Sequence, residues 1–219
     1  MNLLEKLTDC GIVAVVRGSN SETIIEIARA LKKGGVSALE ITVETPNAMT
    51  IIEKAAAALE EEGIIVGAGT VLDAETARAA LLSGAKFIFS PSFNPETIKM
   101  TKRYGAVSIP GAMTPTEILN AYEHGADMVK VFPANVIGPA FFKTIKGPLP
   151  HIPLMATGGI DLDNAADYID AGAEGLGVGS TLVPLLHEVT DHDKEKIAAR
   201  AGAFVRIVAE TKKMKCAFS

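Results

Sequence analysis

The sequence has 219 residues, of which 48% are hydrophobic and 21% charged, a balance typical of a globular protein and not of a disordered chain. The net charge of −5 provides no basic surface for DNA or RNA. No apolar run approaches the length of a membrane span, and the N-terminus lacks the basic-then-apolar order of a signal peptide. We therefore expect a cytoplasmic protein with no nucleic-acid partner and no membrane contact.

Strand and helix patterns alternate along the whole chain. After a predicted helix over Leu3–Asp9, short apolar runs recur, each followed by a turn and a segment with helical spacing. The eight predicted strands are Ile12–Arg17, Ala38–Val43, Ile64–Thr70, Phe87–Pro91, Ala106–Pro110, Met128–Pro133, Leu154–Gly159 and Gly175–Ser180. Eight consecutive βα units without a linker predict a single α/β domain over residues 1–219, a (β/α)8 TIM barrel with an additional N-terminal helix.

Two helix boundaries carry explicit signals. Thr114, followed by Pro115 and then Glu117, is typical of a capped helix start, because the threonine hydroxyl and the early acid satisfy free backbone N–H groups. The last helix is predicted over roughly Asp193–Lys213, where apolar residues recur at helical spacing. In such a barrel the functional site lies at the carboxyl ends of the strands, so polar residues at those ends are the candidates for function.

The sixth predicted strand carries a lysine in its middle. Side chains alternate along a strand, so Lys130 shares one face with Met128 and Phe132. In an isolated strand the simpler interpretation is a lysine that reaches into water. In a barrel the same face points inward, where an ammonium must be paired, deprotonated or used.

The second predicted strand supplies an acid. Leu39 and Ile41 lie on one face and Glu40 on the other, and both faces of a parallel barrel strand are covered, so we expect Glu40 to point into the barrel. One interpretation is a buried ion pair between Glu40 and Lys130. We favour catalysis, because an interior acid and an interior lysine near strand ends suit proton transfer and amine chemistry.

Three further strand ends carry candidate binding residues. Arg17 ends the first predicted strand, and its planar guanidinium suits a carboxylate or a phosphate, although a salt bridge at the rim is an equally good interpretation. Thr70 ends the third strand and brings a hydroxyl to the same mouth. Pro91 ends the fourth strand, where a shaping role is the default for a proline.

The ends of the seventh and eighth predicted strands are rich in glycine and predict an anion site. Gly158 and Gly159 follow one strand, and Gly179 and Ser180 follow the next. Barrels commonly hold a phosphate between these two strand ends, because free backbone N–H groups attract the anion and glycine lets it approach. The two cysteines and four histidines show no metal-ligand spacing, so we predict no metal ion and no cofactor.

Together these residues suggest Schiff-base chemistry on a phosphorylated carbonyl compound. The amine must be neutral to attack, and burial near Phe132 lowers the pKa of Lys130 in that direction, whereas an ionised Glu40 opposes it. Two alternatives stay open from the residues alone. One is a phosphate-binding isomerase or epimerase in which Lys130 acts electrostatically, and the other is a non-catalytic sugar-phosphate sensor.

Seven motifs also resemble, in one order from Ile12 to about Pro184, the family of 2-keto-3-deoxy-6-phosphogluconate aldolases. Some members of that family also cleave 4-hydroxy-2-oxoglutarate. The motifs begin at Leu39, Gly67, Ser90, Ile109, Lys130, Thr157 and Val178 and read LEIT, GAGT, SP, IPG, KVFP, TGGI and VGS.

The resemblance implies a metal-independent class I aldolase, a lyase that is typically a homotrimer. It implies that Lys130 forms the Schiff base with the substrate and that Glu40 moves protons. Cleavage would yield pyruvate and glyceraldehyde 3-phosphate. The carried-over binding residues are Arg17 and Thr70 for the carboxylate, Pro91 and Phe132 for the pocket shape, and Gly158, Gly159, Gly179 and Ser180 for the phosphate.

The chain departs from the family pattern at Glu44. Many members carry an arginine or a small polar residue at this position, which is expected to lie near the substrate carboxylate. A negative charge there repels an acid substrate unless Glu44 turns away or pairs with Arg17. The aldolase class is unaffected, but the preferred keto acid is left open.

Overall fold

A single sheet of nine parallel strands organises the part of the chain described by the computed structural model, residues 2–186 and 188–217. The strands are β1 (Ile12–Val16), β2 (Ala38–Thr42), β3 (Ile65–Gly69), β4 (Phe87–Phe89), β5 (Val107–Ile109), β6 (Gly111–Ala112), β7 (Val129–Val131), β8 (Leu154–Thr157) and β9 (Gly175–Val178). Their order in the sheet is β5-β4-β3-β2-β1-β9-β8-β7-β6.

Ten helices accompany these strands in the described residues. They are α1 (Leu3–Cys10), α2 (Ser21–Lys33), α3 (Ala48–Leu59), α4 (Ala74–Leu82), α5 (Pro95–Arg103), α6 (Pro115–Glu123), α7 (Ala134–Ile137), α8 (Pro139–Lys146), α9 (Ala165–Asp170) and α10 (Asp191–Ala217). None of the helices in the described ranges is both long and apolar enough to cross a membrane.

The two outermost strands of the sheet, β5 and β6, are separated in sequence only by Pro110, so the sheet curls into a nearly closed barrel. The predicted α/β barrel of TIM type is therefore confirmed. The predicted fifth strand, Ala106–Pro110, contains only β5, which pairs with β4, and a second short strand that was not predicted, β6, follows Pro110 and pairs with β7. Proline explains the interruption because it has no N–H for the ladder, while its carbonyl still accepts from the Lys130 N–H at 2.9 Å.

Side chains alternate between the two faces of the barrel wall. On β7, Val129 and Val131 belong to the apolar layer between strands and helices, whereas Met128 belongs to a separate cluster inside the barrel. Leu7 of α1 is fully buried in that interior cluster, so the predicted N-terminal helix closes the amino-terminal end of the barrel. The opposite end, formed by the carboxyl ends of the strands, is not closed by this helix.

Helix boundaries follow the sequence signals closely. Thr114 caps α6 as predicted, with its hydroxyl accepting from the Glu117 N–H and the Glu117 carboxylate accepting from the Thr114 N–H. The first helix is one residue longer than predicted, ending at Cys10. The last helix begins at Asp191 and ends at Ala217, beyond both predicted limits, because helical spacing alone marks the buried residues and not the exposed turns at either end.

Candidate active site

A cavity of about 520 Å³ opens at the carboxyl ends of the strands. All of the predicted site residues except Glu40 line it, and Glu40 lies one layer deeper, on the inner face of β2. The further lining residues are Val15, Glu44, Thr157, Ile160, Gly177 and Thr181. The cavity therefore brings together candidate residues from six different strand ends.

Lys130 lies in the middle of β7 and is 6% exposed. Its ammonium nitrogen is 5.4 Å from the centre of the Phe89 ring and 4.9 Å from that of Phe132. Burial lowers the pKa of Lys130 below its ordinary value, and although the Glu40 carboxylate opposes this shift, burial dominates. A nitrogen in this setting is more readily available as a neutral nucleophile than a lysine in water.

Glu40 is 1% exposed and its Oε2 has no hydrogen-bond partner among the described residues. Burial raises the pKa of Glu40, against the opposing charges of Lys130 and Arg17. Gly69 on the adjacent strand makes room for it, since a Cβ at Gly69 would overlap the Glu40 carboxylate. A carboxyl group whose pKa is raised stays protonated to a higher pH than an ordinary glutamate, so it can serve as an acid as well as a base.

Glu40 and Lys130 face each other across the barrel. Three barrel strands lie between β2 and β7 in one direction and, counting β5 and β6 as one, three in the other. The two side chains form no ion pair among those of the described residues. Burial raises the pKa of Glu40 and lowers the pKa of Lys130, so it favours the neutral form of each side chain. The arrangement therefore differs from a buried ion pair and suits proton transfer.

Arg17 is exposed at the mouth and leans toward the glycine-rich end of β9. Its Nη1 lies 3.4 Å from the position that a Cβ on Gly179 would occupy. The two glycine-rich turns are held together, because the Thr181 hydroxyl donates to the Ile160 carbonyl at 2.6 Å. The Asn164 amide donates to the Gly159 carbonyl at 2.8 Å. Guanidinium and turns thus surround one side of the cavity.

Thr70 and Pro91 shape the opposite side. Thr70 has a φ of 59°, a left-handed conformation that is rare for a β-branched residue and is found mainly where function or packing imposes it. Pro91 packs against Gly111 so closely that a Cβ on the glycine would overlap the Pro91 carbonyl group. Both residues line the cavity.

The sequence-based site omitted two residues, Thr157 in the cavity lining and Phe89 beside the lysine. Thr157 lines the cavity, is 5% exposed, and its hydroxyl has no described hydrogen-bond partner. Gly177 leaves room for it, since a Cβ there would overlap the threonine side chain. Phe89 contacts the lysine from β4. Strand alternation could have found both, because Thr157 and Phe89 occupy inward positions near the carboxyl ends of predicted strands.

A family model described as "KDPG and KHG aldolase" matches residues 3–199. The protein belongs to the KDPG and KHG aldolase family. Its barrel fold agrees with membership. Homologues in this family are named aldolases, which are lyases.

Individual family members are similar over most of their length. A 2-dehydro-3-deoxy-6-phosphogalactonate aldolase from Escherichia coli K12 is 34% identical over 204 residues, covering 93% of this chain and 97% of the relative. A 2-dehydro-3-deoxy-phosphogluconate aldolase from Treponema pallidum is 32% identical over 211 residues, covering 95% and 98%. A KDPG aldolase from Legionella pneumophila, solved with pyruvate captured at low pH as a covalent carbinolamine, has a TM-score of 0.83 at 25% identity, covering 93% of this chain and 98% of that one.

Proposed function

We propose that this protein is a class I aldolase that cleaves 2-keto-3-deoxy-6-phosphogluconate to pyruvate and glyceraldehyde 3-phosphate through a Schiff base on Lys130. The observation that carries the proposal is the buried lysine at the foot of the cavity, held between two phenyl rings and without an ion-pair partner among the described residues. Family membership supports it, because relatives are named for this reaction.

The proposed reaction begins when the neutral Lys130 nitrogen attacks the C2 carbonyl. The carbinolamine loses water to give a protonated imine, which then withdraws electrons from C3. Removal of the proton from the C4 hydroxyl breaks the C3–C4 bond, so the aldehyde leaves and C3 keeps the electron pair as an enamine. Protonation at C3 and addition of water to the imine release pyruvate and return the lysine.

Glu40 is the proposed proton carrier in these steps. Its raised pKa and its position across the barrel from Lys130 support delivery and removal of protons, through a water molecule where the distance requires it. We expect Glu40→Gln to lower turnover by about 10² to 10⁴-fold, the usual contribution of a positioned acid or base. Full turnover in that variant would exclude the assigned role.

The remaining site residues are proposed to bind the substrate or to shape the pocket. Arg17 and Thr70 are proposed to hold the substrate carboxylate, and Pro91 and Phe132 to shape the pocket. Gly158, Gly159, Gly179 and Ser180 are proposed to bind the phosphate, which their position in the two tied turns supports. The buried Thr157 hydroxyl, which has no hydrogen-bond partner among the described residues, is proposed to add a hydrogen-bonding group for the substrate. Cleavage of 4-hydroxy-2-oxoglutarate is a second proposed activity, because a relative from Escherichia coli is named "KHG/KDPG aldolase".

Homotrimeric assembly and a cytoplasmic location complete the proposal. The trimer rests on the family resemblance in the sequence, and the location rests on the composition. Light scattering on the eluting protein measures the first, and fractionation of the source cells measures the second.

Reductive trapping tests the imine. The protein is incubated with pyruvate and sodium borohydride, its intact mass is measured, and the modified peptide is mapped. We expect one reduced pyruvate adduct, on Lys130, whereas the exposed Lys54 stays unmodified and serves as the internal control. No adduct, or an adduct on another lysine, would contradict the proposal and favour a phosphate-binding isomerase or epimerase. Retro-aldol turnover, followed as pyruvate release, separates an enzyme from a sugar-phosphate sensor that has kept the lysine.

A further inference from the structure

The peptide group that follows Arg17 lies just beyond the end of the β1 ladder. β1 pairs with β2 as far as Val16, which lies opposite Ile41, and the chain leaves the sheet at Arg17. The Arg17 side chain lines the mouth of the cavity and forms no ion pair with any described residue. Its position therefore depends on the direction of the backbone at this point, because no carboxylate of the described residues holds the guanidinium.

Thr45, in the loop after β2, holds this peptide group. The Thr45 hydroxyl accepts a hydrogen bond from the Gly18 N–H at 3.2 Å. That N–H belongs to the planar peptide group that joins Arg17 to Gly18, so its direction fixes the ψ angle of Arg17. The β1 ladder holds the chain before Arg17, and the Thr45 hydroxyl holds it afterwards. Together they set the direction in which the arginine side chain leaves the backbone.

Thr45 is itself fixed by its own contacts. It is 6% exposed, its N–H donates to the Thr42 carbonyl at 3.0 Å, and its carbonyl accepts from the Ala48 N–H at 3.0 Å. Its hydroxyl oxygen also lies 3.4 Å from that of Thr42. A hydroxyl group has one donor and two acceptor positions, so it can accept from Gly18 and share a second hydrogen bond with Thr42. The group that holds the Arg17 peptide is thus buried and anchored on both sides.

We propose that Thr45 is a positioning residue whose hydroxyl orients Arg17 toward the carboxylate of the keto acid. The inference rests on the proposed function, in which Arg17 binds that carboxylate. The carboxylate does not react during cleavage, so the guanidinium binds it equally in the substrate and in the transition state. Loss of the orientation is therefore expected to weaken substrate binding and to leave the chemical step unchanged.

The test replaces Thr45 by valine, which has nearly the shape of threonine but no hydroxyl. Steady-state pyruvate release from 2-keto-3-deoxy-6-phosphogluconate gives KM and kcat for each variant. We expect Thr45→Val to raise KM by about three- to tenfold, the effect of one lost hydrogen bond, while kcat stays within about twofold of wild type. Thr45→Ser keeps the hydroxyl, so its KM is expected to stay within about twofold of wild type.

Thr97→Val is the matched control, because it is the same change at another buried threonine. Thr97 belongs to α5, is 2% exposed and does not line the cavity, and its hydroxyl has no hydrogen-bond partner among the described residues. We expect its KM to equal that of the wild type. KM does not depend on the amount of folded enzyme, so partial unfolding leaves the comparison valid. If Thr45→Val yields no folded protein, Thr45→Ala removes the same hydroxyl and is expected to give the same rise in KM.

A double-mutant cycle shows whether Thr45 acts through Arg17. Arg17→Gln alone is expected to raise KM by about ten- to a hundredfold, because charge-assisted hydrogen bonds to the carboxylate are lost. In the Arg17→Gln background, Thr45→Val is expected to change KM by less than about twofold, because no guanidinium is left to orient. A merely structural role of Thr45 would raise KM by the same factor in both backgrounds.

Two kinds of failure have different meanings. A wild type that releases no pyruvate and forms no borohydride adduct on Lys130 contradicts the proposed function, and this inference falls with it. With a wild type that cleaves the substrate, an unchanged KM in Thr45→Val or in Arg17→Gln overturns the inference alone. It is also overturned if Thr45→Ser raises KM as much as Thr45→Val, or if Thr45→Val has its full effect in the Arg17→Gln background.

Discussion

The two ends of the barrel interior are built from the same strands with opposite chemistry. At the amino-terminal end, inward residues such as Val13, Phe87 and Met155 pack with Leu7 of α1 into an apolar cluster. At the carboxyl end, the inward positions carry Glu40 and Lys130 around an open cavity. One end is closed by packing, and the other is kept open for chemistry.

The inner face of the barrel changes from apolar to charged within two residues along a strand. On β2, the apolar Ala38 is followed by Glu40. Just before β7 comes the apolar Met128, which Lys130 follows. Because side chains alternate, each pair shares the inner face at successive levels. The catalytic candidates are therefore positioned by strand register and by the packed layer beneath them, which is more rigid than a loop.

The largest expected effect comes from replacing Lys130, at the carboxyl end of the barrel. Lys130→Met keeps the volume near the two phenyl rings and removes the nucleophile, so we expect turnover and borohydride adduct to be lost, at least about 10³-fold in rate. We expect the free energy of unfolding to stay the same or rise by about 1 kcal/mol, because a buried, unpaired ammonium destabilises a fold. Denaturant unfolding and pyruvate release are the two measurements.

This result would show that the carboxyl end is not built for stability. A large loss of stability in Lys130→Met would instead mean that the lysine holds the barrel together, and the comparison between the two ends would fail.

The second largest expected effect is a loss of stability at the amino-terminal end of the barrel, where the interior is packed. Leu7→Ala is expected to lower the free energy of unfolding by about 2 to 5 kcal/mol, because it leaves a void in a fully buried cluster. Its kcat/KM for the folded enzyme is expected to stay within about twofold of wild type, since α1 does not reach the cavity. Urea unfolding gives the first value and steady-state kinetics at low temperature the second.

Gly202→Ala is the matched control for Leu7→Ala. It lies within α10, where the described atom nearest to an added Cβ, apart from the adjoining backbone of the helix, is the Gly34 carbonyl oxygen at 3.8 Å, so stability is expected to hold or rise. A drop in kcat for Leu7→Ala without a drop in stability would mean that the two ends are coupled in function.

The sequence predicted the barrel because its signals are local and repeated. Apolar runs, turns and a capping residue such as Thr114 each act within a few residues, and eight repeats in one direction allow few other folds. It also predicted that Glu40 and Lys130 point inward, since alternation along a strand requires no knowledge of neighbours. The broken fifth strand was missed because Pro110 was taken as a strand end, while pairing with β7 resumes at Gly111.

The sequence could not provide the contacts between side chains on different strands of the barrel. Among the described residues, the Glu40 Oε2 and the Thr157 hydroxyl have no hydrogen-bond partner, and Phe89 contacts the lysine. All three facts depend on which strand faces which. Gly69 and Gly177 illustrate the limit, because each is explained only by the side chain on the next strand that fills its place. Local patterns name candidate residues, and register decides which of them meet.

The smallest expected effect is a shift in the titration of Lys130. Burial lowers its pKa, so the neutral amine forms at lower pH than for a lysine in water, and its reaction with cyanate is expected to rise with a midpoint below 10.5. The Glu40 carboxylate stabilises the ammonium, so Glu40→Gln is expected to move the midpoint lower still. Peptide mass spectrometry follows Lys130 across pH, with the exposed Lys54 as internal reference.

The same shift has a consequence for stability. The ammonium of Lys130 is favoured in the unfolded chain, so protonation opposes folding below the folded-state pKa. Stability from this group is expected to rise as pH increases through the folded-state pKa toward 10.5, and the rise is expected to vanish in Lys130→Met. A Glu40→Gln midpoint equal to that of the wild type would mean that Glu40 is uncharged when the lysine titrates, and would contradict the expected downward shift.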